Sequence, residues 1–251
     1  MMKLILNIFP RPWLIRLSIW LLPLIKIYYS GRRFIDPIDG SSYRKFLPYG
    51  YQKLRKNALC PGTLSLERHR LLWLYLERET NIFKKKLNVL HIAPEQVFFK
   101  KFKNFENWNY TTCDINSPLA DIKSDICNLP FKNNSYDLIL CNHVLEHIPD
   151  HNKAISELYR ILKKGGILIA QVPIDFSKEK TFEDFNITNN KERNKIFGQY
   201  DHVRVYGTDF FSFLNQAGFK TKSIDYINKI SKEEIQKFGL KKDIIPIGYK
   251  V

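Results

Sequence analysis

Carboxylates, an amide and imidazoles follow short apolar runs in the middle of the sequence. Asp114 ends the run at 110–113, Asp125 lies in SDICNLPF, and His143 follows the run at 136–141. In nucleoside-binding α/β units, an acid at the end of the second strand accepts hydrogen bonds from ribose hydroxyls. The position of Asp114 therefore predicts a side chain that binds the ribose of a nucleoside. The alternative is an ordinary turn-forming aspartate.

The apolar runs themselves predict the strands that position these polar residues. The runs LNVLHI (87–92) and YDLILC (136–141) are rich in Leu and Ile without regular polar alternation, which is typical of parallel strands covered on both faces. The first gives way to Ala93-Pro94-Glu95 and then to the helix-like QVFFKKF. Because parallel strands end at one edge of a sheet, we expect the polar residues at their ends to converge.

A second group of polar residues lies far along the chain. His202, Arg204 and Tyr206 alternate with valines, so an extended backbone places them on one face, which we expect to turn towards the cleft while the valines are buried. The polar segment 174–200 before them is too long for an ordinary connection and predicts a lid or a substrate-binding insertion. We expect His202 to act as a base and Arg204 as an anion clamp on the acceptor side. The alternative is an ordinary exposed edge.

The ordered set of motifs resembles the class I S-adenosylmethionine-dependent methyltransferases, in the branch that acts mostly on small molecules. The resemblance covers about 87–219 and includes D-I-x-x-L-P-F, Y-D-L-I, H-V-L-E-H-I and L-K-x-G-G. It implies an α/β, doubly wound, seven-stranded and mostly parallel sheet of the Rossmann-like methyltransferase type, with S-adenosylmethionine as cofactor. The first loop departs from the family's D-x-G-x-G-x-G, because its positions hold the residues His91, Ala93, Glu95 and Val97.

The resemblance suggests roles for the residues of this first loop. His91 stands where the family carries a strand-end carboxylate, and Glu95 can supply that carboxylate to the cofactor's ammonium or sulfonium. The alternative for Glu95 is an acid that favours the helix dipole. Ala93 permits close approach to the cofactor, and Pro94 favours an extended backbone at Ala93.

The remaining cofactor and catalytic candidates also follow from the resemblance. Asp125 matches the residue that receives the adenine amino group, with Ile126 beside the ring. Asn142 and His143 follow the fourth strand, and His143 is a second candidate base for a hydroxyl acceptor. Arg68 either meets the carboxylate of the cofactor's methionine moiety or lies in a solvated basic turn.

Two patterns raise the question of a metal site. His143 and His147 lie four apart in a predicted helix, but no third ligand is in register. Some methyltransferases of this appearance carry a zinc knuckle before the core domain, and here only Cys60-Pro61 remains of it, with Thr63 in place of the second thiol. Tetrahedral zinc usually takes four nitrogen or sulfur ligands, so we predict no metal.

Composition and length limit the organisation of the chain. Its 251 residues, 44% hydrophobic, can form one substantial core with extensions. Together with the resemblance, this leads us to expect an apolar and basic segment at 1–30, an irregular subdomain at 31–63 and a methyltransferase domain at 64–251. The four cysteines lack paired spacing, which predicts free thiols and a cytoplasmic location. The net charge of +15 permits an anionic partner. A nucleic-acid methyltransferase is disfavoured, because NHVL follows the fourth strand in place of an Asn-Pro-Pro-Tyr type motif for exocyclic amines.

The segment at 1–30 mixes apolar and aromatic residues with arginines and lysines. Its longest uncharged run, 17–25, is shorter than the roughly 20 residues that span a bilayer. The mixture suits the headgroup boundary of an anionic membrane on its inner face. The alternative is a helix packed on the domain or on a second subunit.

These inferences lead to a functional prediction. We expect methyl transfer to an oxygen or nitrogen of a small-molecule, glycan or lipid-linked acceptor. A catalytically inactive cofactor-binding scaffold and a nucleic-acid methyltransferase are the alternatives. The sequence does not determine the acceptor or the oligomeric state.

Overall fold

The computed structural model describes residues 23–50, 54–118 and 120–251. The chain divides into two units, the first comprising 1–74 with 229–241 and the second comprising 75–228 with 242–251. These boundaries differ from the predicted ones, because a late segment returns to the first unit. Most of the predicted membrane segment at 1–30 lies outside the described residues, so its role stays a prediction.

The described part of the first unit contains short antiparallel strand pairs and helices, among them a helical stretch at 23–29. Strand β1 pairs with β2 and β3 pairs with β4. The elements are β1 (Ser30–Ile35), β2 (Ser42–Tyr43), β3 (Leu47–Tyr49), β4 (Arg55–Leu59), α1 (Glu67–Glu79), which continues into the second unit, and α6 (Lys232–Lys237), numbered in chain order.

A hydrogen-bonded network occupies the position of the zinc knuckle in the first unit. The buried carboxylate of Asp36 accepts hydrogen bonds from the hydroxyls of Thr63 and Ser65. Burial, and then the charge of Asp36, raises the pKa of the Cys60 thiol to about 11, so the thiol is protonated. The buried guanidinium of Arg70 donates to the backbone carbonyls of Ala58, Ser65, Phe238 and Gly239. Buried polar groups with partners of this kind stabilise an irregular segment that has little regular secondary structure.

The second unit alternates strands and helices, as an α/β domain does. Its elements are β5 (Leu87–Ile92), α2 (Gln96–Phe102), β6 (Trp108–Asp114), β7 (Ile122–Lys123), β8 (Tyr136–Cys141), α3 (His151–Ile161), β9 (Leu162–Ile169), β10 (Phe182–Glu183), α4 (Asn190–Phe197), β11 (Arg204–Val205), α5 (Phe210–Gln216), β12 (Lys220–Ile224) and β13 (Ile245–Tyr249). Short 3-10 turns lie at Ile82–Lys84, Leu145–His147 and Tyr226–Lys229.

Seven of these strands form one sheet in the order β12-β13-β9-β8-β5-β6-β7. The pairs from β9 to β7 are parallel, and β13 joins β9 and β12 in antiparallel fashion. This arrangement confirms the predicted seven-stranded, mostly parallel sheet and its antiparallel edge. In the central strands, Val89, Leu90, Leu138 and Ile139 are fully buried, as the apolar runs predicted.

Helix α3 shows how the sequence specifies one covering element. The side chain of Asp150 caps it by accepting a hydrogen bond from the amide of Lys153. Its buried face carries Ala154, Leu158 and Ile161, spaced for one side of a helix. One detail of the prediction is wrong: the segment at 163–166 is part of β9, which begins at Leu162, and does not form a separate turn before a strand at 167.

The predicted insertion after the fifth strand has structure of its own. Strands β10 and β11 pair in antiparallel fashion, and α4 lies between them in the chain. Asn189 caps α4 by accepting from the amides of Lys191 and Glu192. Within the described part of the chain, no helix is long and apolar enough to span a membrane.

Candidate functional site

A cavity of about 560 Å³ opens where β5, β6 and β8 end in the second unit. Parallel strands deliver their following loops to this edge, so residues distant in sequence meet there. Five predicted site residues line the cavity, namely Ala93, Asp114, Asp125, Ile126 and His143.

Asp114 ends β6 and is half buried at the cavity wall. Its Oδ1 accepts hydrogen bonds from the amides of Asn116 at 2.7 Å and Ser117 at 2.6 Å. One oxygen therefore forms the turn that the alternative interpretation described. The other oxygen takes no part in this turn, and its role towards ribose hydroxyls stays a prediction.

Ala93 adopts a backbone conformation that usually requires glycine. Its φ is +47°, and its amide donates to the carbonyl of Cys113 at 2.8 Å. The expectation that Pro94 holds Ala93 extended is therefore wrong. At the glycine position of the family motif, this chain keeps the left-handed backbone although a Cβ atom is present.

His91 lies inside the domain and does not line the cavity. Its fully buried ring contacts the Tyr110 hydroxyl through Nδ1 at 2.7 Å and Glu95 Oε2 through Nε2 at 2.5 Å. Direct contact between His91 and the cofactor is thereby contradicted. The Glu95 side chain bonds to His91 and does not cap α2, so any role of Glu95 towards the cofactor is a prediction.

Asp125 and Ile126 lie side by side on the cavity wall with different environments. Asp125 is exposed, and its Oδ1 accepts from the amide of Cys127 at 2.9 Å. Ile126 belongs to the buried core, which gives the wall an apolar surface suited to an adenine ring. These two roles also stay predictions.

The loop after β8 differs from the predicted helix. Asn142 is buried and its Oδ1 accepts from the amide of Gln171 at 3.4 Å. His143 has a φ of +53°, and its amide donates to the carbonyl of Gln171 at 2.7 Å. A helix is absent here, and the 3-10 turn Leu145–His147 takes its place. The assumed shared helical face of His143 and His147 is therefore wrong.

Glu146 is a buried carboxylate that the sequence reasoning did not select. His143 Nδ1 lies 3.1 Å from Glu146 Oε1. Burial acts to raise the pKa of Glu146, but the hydrogen bond from His143 and the neighbouring imidazoles of His143 and His147 lower it below its ordinary value. Glu146 is therefore ionised in the protein interior.

His202, which follows the insertion in the chain, contacts His147. Its ring stands edge-on to that of His147, with ring centroids 4.7 Å apart. Burial lowers the pKa of His202, so its imidazole is neutral near pH 7. His202 itself does not line the cavity, whereas its neighbours His147 and Asp201 do, so its role as a base stays a prediction.

Arg204 and Tyr206 hold the loop after β8 in place. They do not form the predicted face towards the acceptor. The buried Arg204 guanidinium donates to the carbonyls of Leu145 at 2.8 Å, Ile148 at 2.5 Å and Pro149 at 2.8 Å. It also pairs with Glu183 at 2.9 Å. The Tyr206 hydroxyl bonds to the carbonyl of Leu145 at 3.3 Å. Because these partners occupy the guanidinium, the anion-clamp role is contradicted.

Arg68 lies on α1 in the first unit and is not among the residues that line the cavity. Its contact with the methionine carboxylate stays a prediction.

The strand order, together with a cavity at the strand ends, agrees with the predicted resemblance to the class I S-adenosylmethionine-dependent methyltransferases. Residues 80–170 match the family described as Methyltransferase domain. This match covers the strands around the cavity and supports the predicted resemblance to S-adenosylmethionine-dependent methyltransferases.

Individual relatives are similar to the chain over part of their length. The chain is 48% identical over 121 residues to uncharacterized protein MJ0638 of Methanocaldococcus jannaschii, covering 45% of this chain and 52% of that protein. It is 32% identical over 111 residues to the ubiquinone/menaquinone biosynthesis C-methyltransferase UbiE of Rickettsia felis, covering 38% and 44%. The chain thus spans about half the length of the curated relatives it matches.

A solved structure shows the same fold over most of the chain. The cyclase SpnF has a TM-score of 0.50 and 13% identity, covering 86% of this chain and 91% of that one. At this identity the likeness concerns the fold alone.

Proposed function

We propose that this chain transfers a methyl group from S-adenosylmethionine to an oxygen or nitrogen of a small-molecule acceptor. The observation that carries the proposal is the convergence of Ala93, Asp114, Asp125 and Ile126 on one cavity at the strand ends. These residues offer a close backbone approach, two carboxylates for polar nucleoside atoms and an apolar wall for a ring.

Methyl transfer depends mainly on the alignment of the donor and the acceptor. The methyl group of a sulfonium is already activated, so holding donor and acceptor in line supplies much of the rate enhancement. When the acceptor is a hydroxyl, a base must also take its proton.

His143 is the base that the geometry supports best. The ionised Glu146 accepts a hydrogen bond from His143 Nδ1, which leaves the proton-accepting lone pair on Nε2. That Nε2 atom has no hydrogen-bond partner among the residues that the structure describes. His143 lines the cavity while its Nε2 is buried in the wall, so we propose that the ring turns towards an acceptor that binds there.

A carbon acceptor is the second candidate. The relative from Rickettsia felis carries the name C-methyltransferase, and its similarity covers 38% of this chain. Positional analysis of the methylated product distinguishes a new carbon–carbon bond from a new bond to oxygen or nitrogen.

The proposal is tested by following a labelled methyl group. Purified protein is incubated with methyl-labelled S-adenosylmethionine and fractions of a metabolite extract, and products that gain one methyl group are identified by mass spectrometry. We expect a labelled small molecule from the wild-type chain, with turnover lowered about 100-fold or more in His143→Gln at unchanged cofactor affinity. Cofactor binding without any labelled product identifies the chain as a scaffold instead.

A further inference from the structure

Three side chains with metal-binding atoms converge behind the cavity wall. Glu146 and His147 lie in the turn after β8, whereas His202 lies just before β11. One ligand atom from each lies within 4.8 Å of the others. The expectation of no metal rested on local spacing, and the third ligand arrives from a segment more than 50 residues away in the chain.

Both histidines are oriented as metal ligands usually are. His147 Nδ1 lies 3.2 Å from the carbonyl oxygen of Asp201, and His202 Nδ1 lies 3.0 Å from that of Phe197. A ring nitrogen that bonds to a carbonyl carries the proton, so Nε2 keeps its lone pair in each ring. This second contact is how metal-binding histidines are fixed in orientation and tautomer.

Glu146 provides the anionic ligand. Its side chain is 1% exposed, and His143 holds Oε1 in place. Within the described ranges of the chain, its Oε2 has no hydrogen-bond partner. A buried carboxylate oxygen without a partner is unfavourable, and a cation beside it supplies the missing interaction.

We propose that Glu146, His147 and His202 bind one divalent transition-metal ion. Two imidazoles and a carboxylate suit Zn²⁺, Mn²⁺, Fe²⁺ or Co²⁺ better than Mg²⁺ or Ca²⁺, which prefer oxygen ligands. A tetrahedral ion with bonds of about 2.1 Å holds its ligand atoms about 3.4 Å apart, so small side-chain rotations suffice to close the site.

Three protein ligands leave at least one position of the ion open. His147 lines the cavity, so the open position lies on the side where a small molecule enters. An oxygen atom of the acceptor, from a hydroxyl or a carboxylate, is the ligand class that this position fits. This part of the inference rests on the proposed function, whereas metal binding itself does not.

Cobalt titration of the full chain tests the site. The protein is stripped with a chelator, titrated with Co²⁺, and followed by visible absorption and by equilibrium dialysis. We expect one Co²⁺ per chain, and Glu146→Gln and His202→Gln each to weaken binding about 100-fold. His151→Gln is the matched control, because His151 is also a buried histidine but lies outside the cluster.

Thermal unfolding shows whether a variant that does not bind the metal is folded. Added Zn²⁺ or Co²⁺ should raise the Tm of the wild type and of the control, but not of the two ligand variants, whose metal-free Tm is measured alongside. No saturable binding of Co²⁺, Zn²⁺ or Mn²⁺ below about 100 μM, or binding that both ligand substitutions leave unchanged, would overturn the site.

The metal site and the proposed function fail in different ways. Binding of S-adenosylmethionine is measured on the stripped protein. Absence of this binding would contradict the proposed function and would not bear on the metal site. Turnover should disappear with the chelator and return with the metal. Turnover that is indifferent to a metal shown to bind would overturn the acceptor-ligand role.

Discussion

Asp114 has two carboxylate oxygens in different situations, and this difference makes its role testable. Because Oδ1 holds the turn to Asn116 and Ser117, Asp114→Ala removes both the turn and the free oxygen, whereas Asp114→Asn keeps an Oδ1 acceptor. We expect the alanine variant to weaken S-adenosylmethionine binding by about 1.5–3 kcal/mol, the scale for losing hydrogen bonds to a charged acceptor.

Calorimetric titration measures this change, with Asp137→Ala as control. Asp137 lies on β8 and pairs with Lys163 away from the cavity lining, so its replacement should leave the affinity unchanged. Equal affinities for wild type and Asp114→Ala would show that the carboxylate only shapes its turn.

Ala93 carries backbone strain at the first loop. A left-handed conformation costs a non-glycine residue about 1–2 kcal/mol. Glycine avoids this cost, but it loses more conformational entropy on folding, which cancels part of the gain. We therefore expect Ala93→Gly to raise the free energy of unfolding by up to about 1 kcal/mol and Ala93→Val to lower it. Denaturant unfolding compares the two variants, and a stability that falls in the glycine variant would contradict the left-handed assignment.

Single residues also show where prediction from sequence ends. Asp114 was selected because it lies at a strand end, which an apolar run reveals, whereas Asp125 and Ile126 were selected from the motif D-I-x-x-L-P-F. All three line the cavity. Glu146 was missed because its importance comes from burial and from His202, which local spacing does not show. Arg204 was placed wrongly because a guanidinium satisfied by carbonyls looks the same in sequence as one that binds an anion.

At the scale of elements, Arg204 connects the insertion to the loop after β8. Removing its guanidinium takes a donor from three loop carbonyls. The carbonyl of Leu145 keeps the Tyr206 hydroxyl, whereas those of Ile148 and Pro149 lose this partner, and each buried unsatisfied group costs about 1–3 kcal/mol. We expect Arg204→Ala to lower the free energy of unfolding by about 3 kcal/mol or more.

Arg193 offers the comparison within the same insertion. Its Nε donates to a single carbonyl, that of Ile187 at 2.7 Å, so Arg193→Ala should cost about 1 kcal/mol. Denaturant unfolding of both variants gives the two values. Similar small losses would mean that Arg204 does not hold the loop.

His151 makes the stability of this region depend on pH. Burial, and then the charge of Arg204, lowers its pKa to about 4, whereas an unfolded histidine has a pKa of about 6.5. Between these values the unfolded chain binds more protons, so this contribution to stability is complete above about pH 6.5 and is lost as the pH falls towards 4.

We expect the histidine to account for a loss of about 2 kcal/mol between pH 7.5 and pH 5. His151→Gln, which does not titrate, should lack that portion of the loss. Unfolding curves at both pH values for the two proteins isolate it, and parallel pH dependence in the two would contradict the depressed pKa.

Elements differ in how far their sequence predicts them. The sheet was predictable because strands covered on both faces are continuous apolar runs, and α3 because its apolar spacing and cap agree. The alternation at 201–206 predicted an extended run, and the strand β11 covers only Arg204–Val205 of it. Val203 is buried as expected, but His202, Arg204 and Tyr206 are buried as well, because they have buried polar partners that the pattern does not display.

At the scale of the whole molecule, the net charge of +15 is not uniformly distributed. A groove of about 910 Å³ within the first unit is lined by six cationic side chains and two acidic ones: Arg32, Arg33, Arg55, Lys56, Lys237, Lys241, Glu67 and Glu233. Attraction to an anionic surface therefore has two candidate sources in the chain, this groove and the segment at 1–30.

Deletion separates the two sources. Tyr29 packs on the core of the first unit, so the deletion is confined to residues 1–22 and keeps Tyr29. If the segment at 1–30 contacts membranes, the truncated protein should no longer sediment with anionic vesicles while its Tm is unchanged. Retained sedimentation would assign the contact to the groove instead.

Binding of S-adenosylmethionine is the measurement that tests the account most directly. The cavity at the ends of β5, β6 and β8 is assigned to this cofactor, so calorimetric titration of the full chain should show saturable binding of one molecule, displaced by S-adenosylhomocysteine. Affinity should fall in Asp114→Ala and stay unchanged in Asp137→Ala. Absence of saturable binding up to millimolar cofactor in the folded protein would contradict the account.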